Sequence, residues 1–197
     1  MRSVFGLLVL IFSGSLFGAP DPHTAVQEAT DDLLQRLVEV QPLYAVDQQK
    51  FFDEVESTLA PFVDFIGFSK SVMAKYYRRA TAEQRSEFAT TFRRQLIEIY
   101  AKALVEFDNQ KVIVLPPAGP QKDPEKARIS LEIHAKDGVV YQVDYHLVLK
   151  EDNWKLHNLV INGINIGLQF KSQFKASMQK NRSNIGAVIA GWRVDGK

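Results

Sequence analysis

The hydrophobic period of this chain changes twice along its length, and no single residue constrains the fold as much. From residue 23 to about residue 107, apolar side chains recur every three or four positions, the spacing that lays one stripe along an α-helix. From 112 to 161 they recur every second position, as in strands with one face covered. After Gly163 the helical period returns. The expected fold is α+β: a curved antiparallel sheet of about four strands, wrapped by N-terminal and C-terminal helices.

The helical signals are local and specific. Val26, Ala29, Leu33, Leu37 and Val40 form one face of a helix over residues 23–40, which Pro42 stops. Asp47 is placed to cap a second helix carrying Phe51, Phe52, Val55 and Leu59, up to Pro61. A third stretch carries Phe62, Phe65, Ile66, Val72, Met73, Tyr76 and Tyr77, with a bend or break expected at Gly67 and Ser69. Thr81-Ala82-Glu83-Gln84 is a capping box, and the helix it opens should run from 82 to about 107, with Phe88, Phe92, Leu96, Ile99, Ala103 and Phe107 in one stripe. Past the strands, Ile166, Phe170, Phe174 and Met178 share a helical face, and Ile185, Val188, Ile189 and Trp192 mark a last short helix.

Strand register follows from the alternation. A three-residue Lys136-Asp137-Gly138 loop sets Ile133 beside Tyr141 and Leu131 beside Val143, whereas a two-residue turn would mix the faces. A four-residue Lys150–Asn153 loop sets Leu147 beside Leu156. Continued outward, the same alternation puts Asn158 and Val160 on the face of Trp154 and Leu156, and His146 opposite His157 with Arg128 on its other side.

Residues 1–19 read as an export address. Arg2 precedes a short apolar run from Val4 to Phe12, followed by small residues up to Ala19, the pattern of a secretory signal peptide and too short for a bilayer span. Removing them takes away Arg2 and no acid, leaving 23 basic and 23 acidic residues. A chain so balanced has no basic surface excess for nucleic acid, so nucleic-acid binding is not expected. The absence of Cys excludes a disulfide framework, a thiolate nucleophile and a lipobox.

Few residues carry recognisable chemistry. His146 and His157 could begin a metal site, but no third ligand is evident and Arg128 disfavours a cation, so two solvated histidines are expected. Ser172-Gln173-Phe174-Lys175 and Ser177-Met178-Gln179-Lys180 match S-x-x-K without its companion motifs. A secreted hydrolase would need a convergent Ser–His–acid cluster, which the sequence does not offer. What remains is apolar surface, with 13 Phe against 2 Trp and 6 Tyr. Those side chains either fill a core or line a cavity suited to an apolar ligand, and patterning alone leaves both readings open.

Motifs narrow the choice. Pro61-Phe62-Val63-Asp64-Phe65, then Met73-Ala74-Lys75-Tyr76-Tyr77-Arg78-Arg79-Ala80-Thr81-Ala82-Glu83-Gln84, then Phe88, Phe92, Leu96 and Tyr100, resemble the P-x-V-D-F, G-K-Y-W-R-x-A-T-x-E-Q and F-x-x-x-F-x-x-x-L-x-x-x-Y segments of the toluene-tolerance auxiliary family. This is the MlaC-type periplasmic phospholipid-binding component of the Mla lipid-trafficking system. Trp154-Lys155-Leu156 through Val160-Ile161-Asn162-Gly163-Ile164-Asn165, and Gln173-Phe174, resemble its C-terminal tail. Departures are Ala74 for Gly, Tyr77 for Trp, Asn158 for Asp, Asn165 for Ser and Lys171 for Arg.

The resemblance implies a non-enzymatic carrier of the Gram-negative periplasm with no cofactor and no metal, its phospholipid-binding domain spanning residues 20–197. It further implies lipid exchange with an inner-membrane ABC transporter complex and an outer-membrane lipoprotein complex, maintaining outer-membrane lipid asymmetry. The residues expected to line the acyl-chain site are Phe62, Phe65, Val72, Tyr76, Phe88, Phe92, Leu96, Tyr100, Leu131, Val143, Tyr145, Val160 and Phe174. The alternative is a periplasmic binding module for small hydrophobic solutes or solvents.

Overall fold

The computed structural model of the chain describes residues 20–105 and 111–193. The segment read as a signal peptide, Phe107 and the side chains of residues 101–104 lie outside the described residues. The first helices form where the caps require. Helix α1 (Pro22–Val40) starts under Asp21, whose carboxylate accepts the Thr24 amide at 3.0 Å. A short turn of helix, α2 (Leu43–Val46), follows Pro42, and α3 (Gln48–Leu59) opens under Asp47, which accepts from the Lys50 amide. Leu37, Val40, Phe51 and Val55 close a small core between α1 and α3.

Helix α4 (Phe65–Met73) runs through Gly67 and Ser69 without the expected bend. Gly67 is there for space, because a Cβ would lie 1.9 Å from the Asp64 carboxylate, and the Ser69 hydroxyl donates back to the Ile66 carbonyl. The break comes at Ala74, with φ 49° and ψ −123°, a region that L side chains resist and glycine occupies freely. A 3₁₀ turn over Ala74–Tyr76 follows. The capping box then closes in both directions: the Gln84 amide donates to Thr81 Oγ1 at 3.2 Å, and the Thr81 amide to Gln84 Oε1 at 3.1 Å. Helix α5 (Ala82–Val105) packs on α3, α4 and α7.

The sheet is an antiparallel meander of five strands in sequence order: β1 (Lys111–Val114), β2 (Lys126–His134), β3 (Val140–Lys150), β4 (Asn153–Ile161) and β5 (Ile164–Asn165). Ile133 pairs with Tyr141, Leu131 with Val143 and Leu147 with Leu156, as alternation predicts. Gly138 takes the left-handed conformation (φ 85°) in the β2–β3 loop. In the β3–β4 loop the outer two of the four residues, Lys150 and Asn153, pair with each other, leaving Glu151 and Asp152 (φ 49° and 59°) as a two-residue turn. A second such turn at Asn162-Gly163 (φ 47° and 81°) adds the two-residue β5 to the expected four strands.

One register differs. His146 pairs with Asn158, not His157, because β4 carries a β-bulge in which His157 is the extra residue. Beyond it the parity flips: Leu159 and Ile161 share the face of Tyr145 and Val143, while Val160 pairs with Asp144 on the polar face.

The outer edge of β4 is covered in two pieces. Strand β5 covers its end, and Phe62–Asp64 runs parallel beside Leu156, whose carbonyl accepts the Asp64 amide at 2.9 Å and whose amide donates to the Phe62 carbonyl at 2.8 Å. Helix α6 (Ile166–Lys180) packs against α4, and α7 (Ile185–Ala190) against α5.

The strain at Ala74 gives a measurable expectation. Ala74→Gly relieves an unfavourable left-handed residue, so the variant should be more stable by about 1 kcal/mol despite glycine's greater unfolded-state entropy, a gain of roughly 2–4 °C in melting temperature. Differential scanning calorimetry checks it; an unchanged or lower melting point contradicts the strained backbone.

Candidate functional site

Pairing gathers apolar side chains into rows across one face of the sheet. Val112, Ile133 and Tyr141 form one row; Val114, Leu131, Val143 and Ile161 form the next; Ile129, Tyr145 and Leu159 form a third. Directly opposed residues share a face, so this is one continuous apolar wall. Ala25 and Val26 of α1 and Phe62 pack on it, and Leu159 and Ile161 also touch the helical core.

The wall is not fully covered. Leu131 and Val143 are buried, but Phe62, Val112, Val114, Ile133, Tyr145, Leu159 and Ile161 each keep part of their surface free. Tyr145 is the sharpest case. It lies on the central strand, its ring 6.2 Å from that of Phe62, and burial pushes its phenol above the ordinary tyrosine range. Tyr145 is thus desolvated by its surroundings and still keeps part of its surface uncovered.

The helical layer is different in kind. Phe88 lies 4.9 Å from Phe174 and 5.2 Å from Trp192, while Phe92 lies 5.3 Å from Phe68 and 5.4 Å from Phe170, centroid to centroid. All six rings are at most 3% exposed. This is a filled aromatic core with edge-to-face contacts.

The thirteen residues singled out from sequence therefore fall in more than one place. Val72, Tyr76, Phe88, Phe92, Leu96 and Phe174 belong to the filled helical core, and Phe65 packs between it and the α1–α3 core. Phe62, Leu131, Val143 and Tyr145 come together on the sheet wall. Tyr100 stands on α5 with 39% of its surface exposed, its phenol raised by partial burial. Val160 is turned away from the wall by the bulge. Ile133, Leu159 and Ile161 belong to the wall without being among the thirteen; alternation along residues 129–135 signals Ile133, and the uninterrupted Leu159-Val160-Ile161 run, apolar at both parities, is the one signal for the other two.

A second constellation joins α4 to β4. Asp64, the N-cap of α4 with its side chain only 8% exposed, accepts from the Gly67 amide at 2.9 Å, from Lys150 Nζ at 2.5 Å and from His157 Nδ1 at 3.3 Å. Burial opposes its ionisation, but the hydrogen bonds from His157, Lys150 and Gly67 outweigh it and hold the carboxyl well below the usual carboxylate range. The other ring nitrogen, His157 Nε2, is 3.0 Å from the Ser71 hydroxyl. The fold thus assembles a Ser–His–Asp chain that linear spacing did not reveal. It lacks what acyl transfer demands. Ser71 is the seventh residue of α4, where neighbouring amides are used inside the helix and cannot form an oxyanion hole. Lys150 also already compensates the carboxylate that would stabilise an imidazolium. The chain is a brace between helix and sheet.

His146 keeps Arg128 as its pair across β2, and burial, then Arg128, lowers its pKa. Among the described residues no three His, Cys, Asp or Glu side chains gather to hold a metal, and no described helix is long and apolar enough to cross a membrane.

Comparison with known proteins places these features. The family model described as MlaC protein matches residues 27–194. Toluene tolerance protein ttg2D of Pseudomonas putida is 38% identical over 190 residues, covering 95% of this chain and 87% of that protein. The intermembrane phospholipid transport system binding protein MlaC of Haemophilus influenzae is 25% identical over 165 residues, covering 82% and 77%. A phospholipid-binding protein from Ralstonia solanacearum, solved in complex with a phospholipid, superposes with a TM-score of 0.79 at 26% identity, over 87% of this chain and 94% of that one.

The brace has a pH signature. A carboxyl whose folded-state pKa is depressed stabilises the fold above its unfolded pKa, near 4, and that stability is lost as pH falls through the folded value. Asp64→Asn should therefore cost about 2 kcal/mol at pH 7, and the cost should shrink by pH 3. Urea midpoints of both proteins at the two pH values test this; a deficit that stays constant with pH would place the loss elsewhere.

Proposed function

The chain belongs to the MlaC family, and on that premise we propose that it is a phospholipid carrier of the Gram-negative periplasm. It is exported by the signal peptide of residues 1–19 and shuttles lipid between an outer-membrane lipoprotein complex and an inner-membrane ABC transporter. The observation that carries the reading is the incompletely covered wall centred on Tyr145, Phe62 and Ile133, in the fold of a Ralstonia protein that was solved with a phospholipid.

Physical chemistry sets what such a carrier must supply. Each methylene exposed to water costs about 0.8 kcal/mol, so an unshielded sixteen-carbon chain costs on the order of 12 kcal/mol. Apolar walls offset this without a nucleophile, metal or cofactor. They must also remain unfilled by the protein's own side chains, and here the two layers divide the work: the helical aromatics interlock while the sheet wall keeps free surface.

The two layers should respond differently to charge. Ile133→Asp or Tyr145→Asp puts a carboxylate on the wall, and the folded variants should carry at least fivefold less co-purified phospholipid by native mass spectrometry. Phe92→Asp should instead disrupt the filled core and cost upwards of 3 kcal/mol, seen as loss of the cooperative unfolding transition. Folded wall variants with undiminished lipid content would refute the wall as the acyl-chain site. Preferential loading with toluene over phospholipid by the delipidated protein would favour a solvent-binding module instead.

A further inference from the structure

The carrier reading does not absorb a groove of about 650 Å³ between α4 with its 3₁₀ turn, the start of β2, the end of β3 and His157 in the middle of β4. One wall comes from a stretch whose charge is all of one sign. Residues 65–82 contain Lys70, Lys75, Arg78 and Arg79 and no acid, and the first three of these line the groove. Lys126, Lys150 and His157 line the other side, and Glu125 is the one acid among the lining residues. The whole chain has a formal net charge of only +1, so this is a local concentration of positive charge.

Most of that charge is uncompensated. Arg78 is exposed, and among the described residues no hydrogen bond or ion pair engages it. Lys70 and Lys75 lie over the rings of Tyr77 and Tyr76, at 5.6 and 5.3 Å from the centroids, contacts that hold the ammonium groups without neutralising them. Lys126 is only loosely paired with Asp123 at 3.8 Å, and Lys150 is bound to Asp64. The Ser71 hydroxyl and the His157 imidazole add polar partners at the rim. The floor includes Val148, which pairs with Lys126 and, by strand parity, faces away from the Tyr145 wall. None of Phe62, Ile133 and Tyr145, the centre of the proposed acyl-chain site, lines the groove.

Converging lysines with a free guanidinium suit a tetrahedral dianion, which lysine meets as a point charge and arginine with paired donors. The volume exceeds what a bare inorganic ion needs and fits a small organic body. We propose that this groove binds a phosphate ester, through Lys70, Lys75 and Arg78 on one side and Lys126 on the other. Two sources offer that chemistry: a soluble phosphate ester, and the headgroups of a bilayer surface.

Two probes on the mature protein separate them. In low-salt buffer, titration with glycerol 3-phosphate followed by amide NMR should give saturable shifts at residues 70–78 and at Lys126, absent with glycerol. Co-sedimentation with phosphatidylglycerol vesicles, against phosphatidylcholine vesicles, reports on headgroups. Binding of glycerol 3-phosphate alone identifies a soluble ester, and vesicle binding alone identifies the bilayer surface. Whichever interaction occurs should weaken at least tenfold in Lys75→Glu/Arg78→Glu and fall in 0.5 M NaCl, as expected for exposed charges. Lys126→Glu, on the opposite wall, serves if the double variant misfolds. Co-purified lipid should be unchanged in these variants, which keeps the result separate from the carrier reading. No binding in either arm, or binding indifferent to the charge reversals, overturns the proposal.

Discussion

The Asp64 carboxylate is the interaction on which the relation between helices and sheet depends. It ends the extended segment that runs beside Leu156, caps α4, and takes hydrogen bonds from Lys150 at the end of β3 and His157 in β4. Two apolar layers left to themselves collapse together, because every methylene removed from water is favourable. A carrier needs them held at a fixed spacing that leaves room for a ligand. A short, nearly buried, charge-assisted junction meets that need better than further apolar contact, since its geometry tolerates little sliding.

The second structural support is the aromatic cluster. Phe68, Phe88, Phe92, Phe170, Phe174 and Trp192 are mutually packed and almost wholly covered. Close-packed interiors transmit strain and compress little, so α4, α5, α6 and α7 move as one body against which the sheet wall can stay partly open. Five of the thirteen phenylalanines belong to this rigid cluster. On the sheet side Phe62, Tyr141 and Tyr145 keep surface to spare.

Much of this was legible in sequence where the signals are local. The Asp47 cap, the Thr81–Gln84 box and the glycine at 138 each involve residues a few positions apart, and period-2 patterning fixed the Ile133–Tyr141 and Leu147–Leu156 pairs. Ala74 carried no breaker signal, because alanine reads as helix whatever its backbone does. The Asp64–His157 and Ser71–His157 contacts join residues 93 and 86 positions apart and leave no local trace. Patterning showed that Phe88 and Tyr145 both face inward, but not that one meets a filled core and the other a wall, since periodicity records which side is apolar and is silent on what lies across from it.

The bulge at His157 shows how one strand serves both faces. In a regular strand, Leu156, Asn158 and Val160 would share the apolar side while Leu159 and Ile161 pointed the other way. The Asn158 side chain would then be drawn from Asn165 and from the Gly167 amide, which its carbonyl oxygen now accepts at 2.9 Å at the start of α6. With one residue inserted, Leu156 and Leu159 both reach the wall, and Asn158 is left to fix α6. His157, released from the ladder, extends sideways to Asp64 and Ser71 at the edge of the cationic groove. A single extra residue therefore aligns the apolar wall, anchors the following helix and supplies the imidazole of the brace, which is why the strand departs from alternation at this one position and not elsewhere.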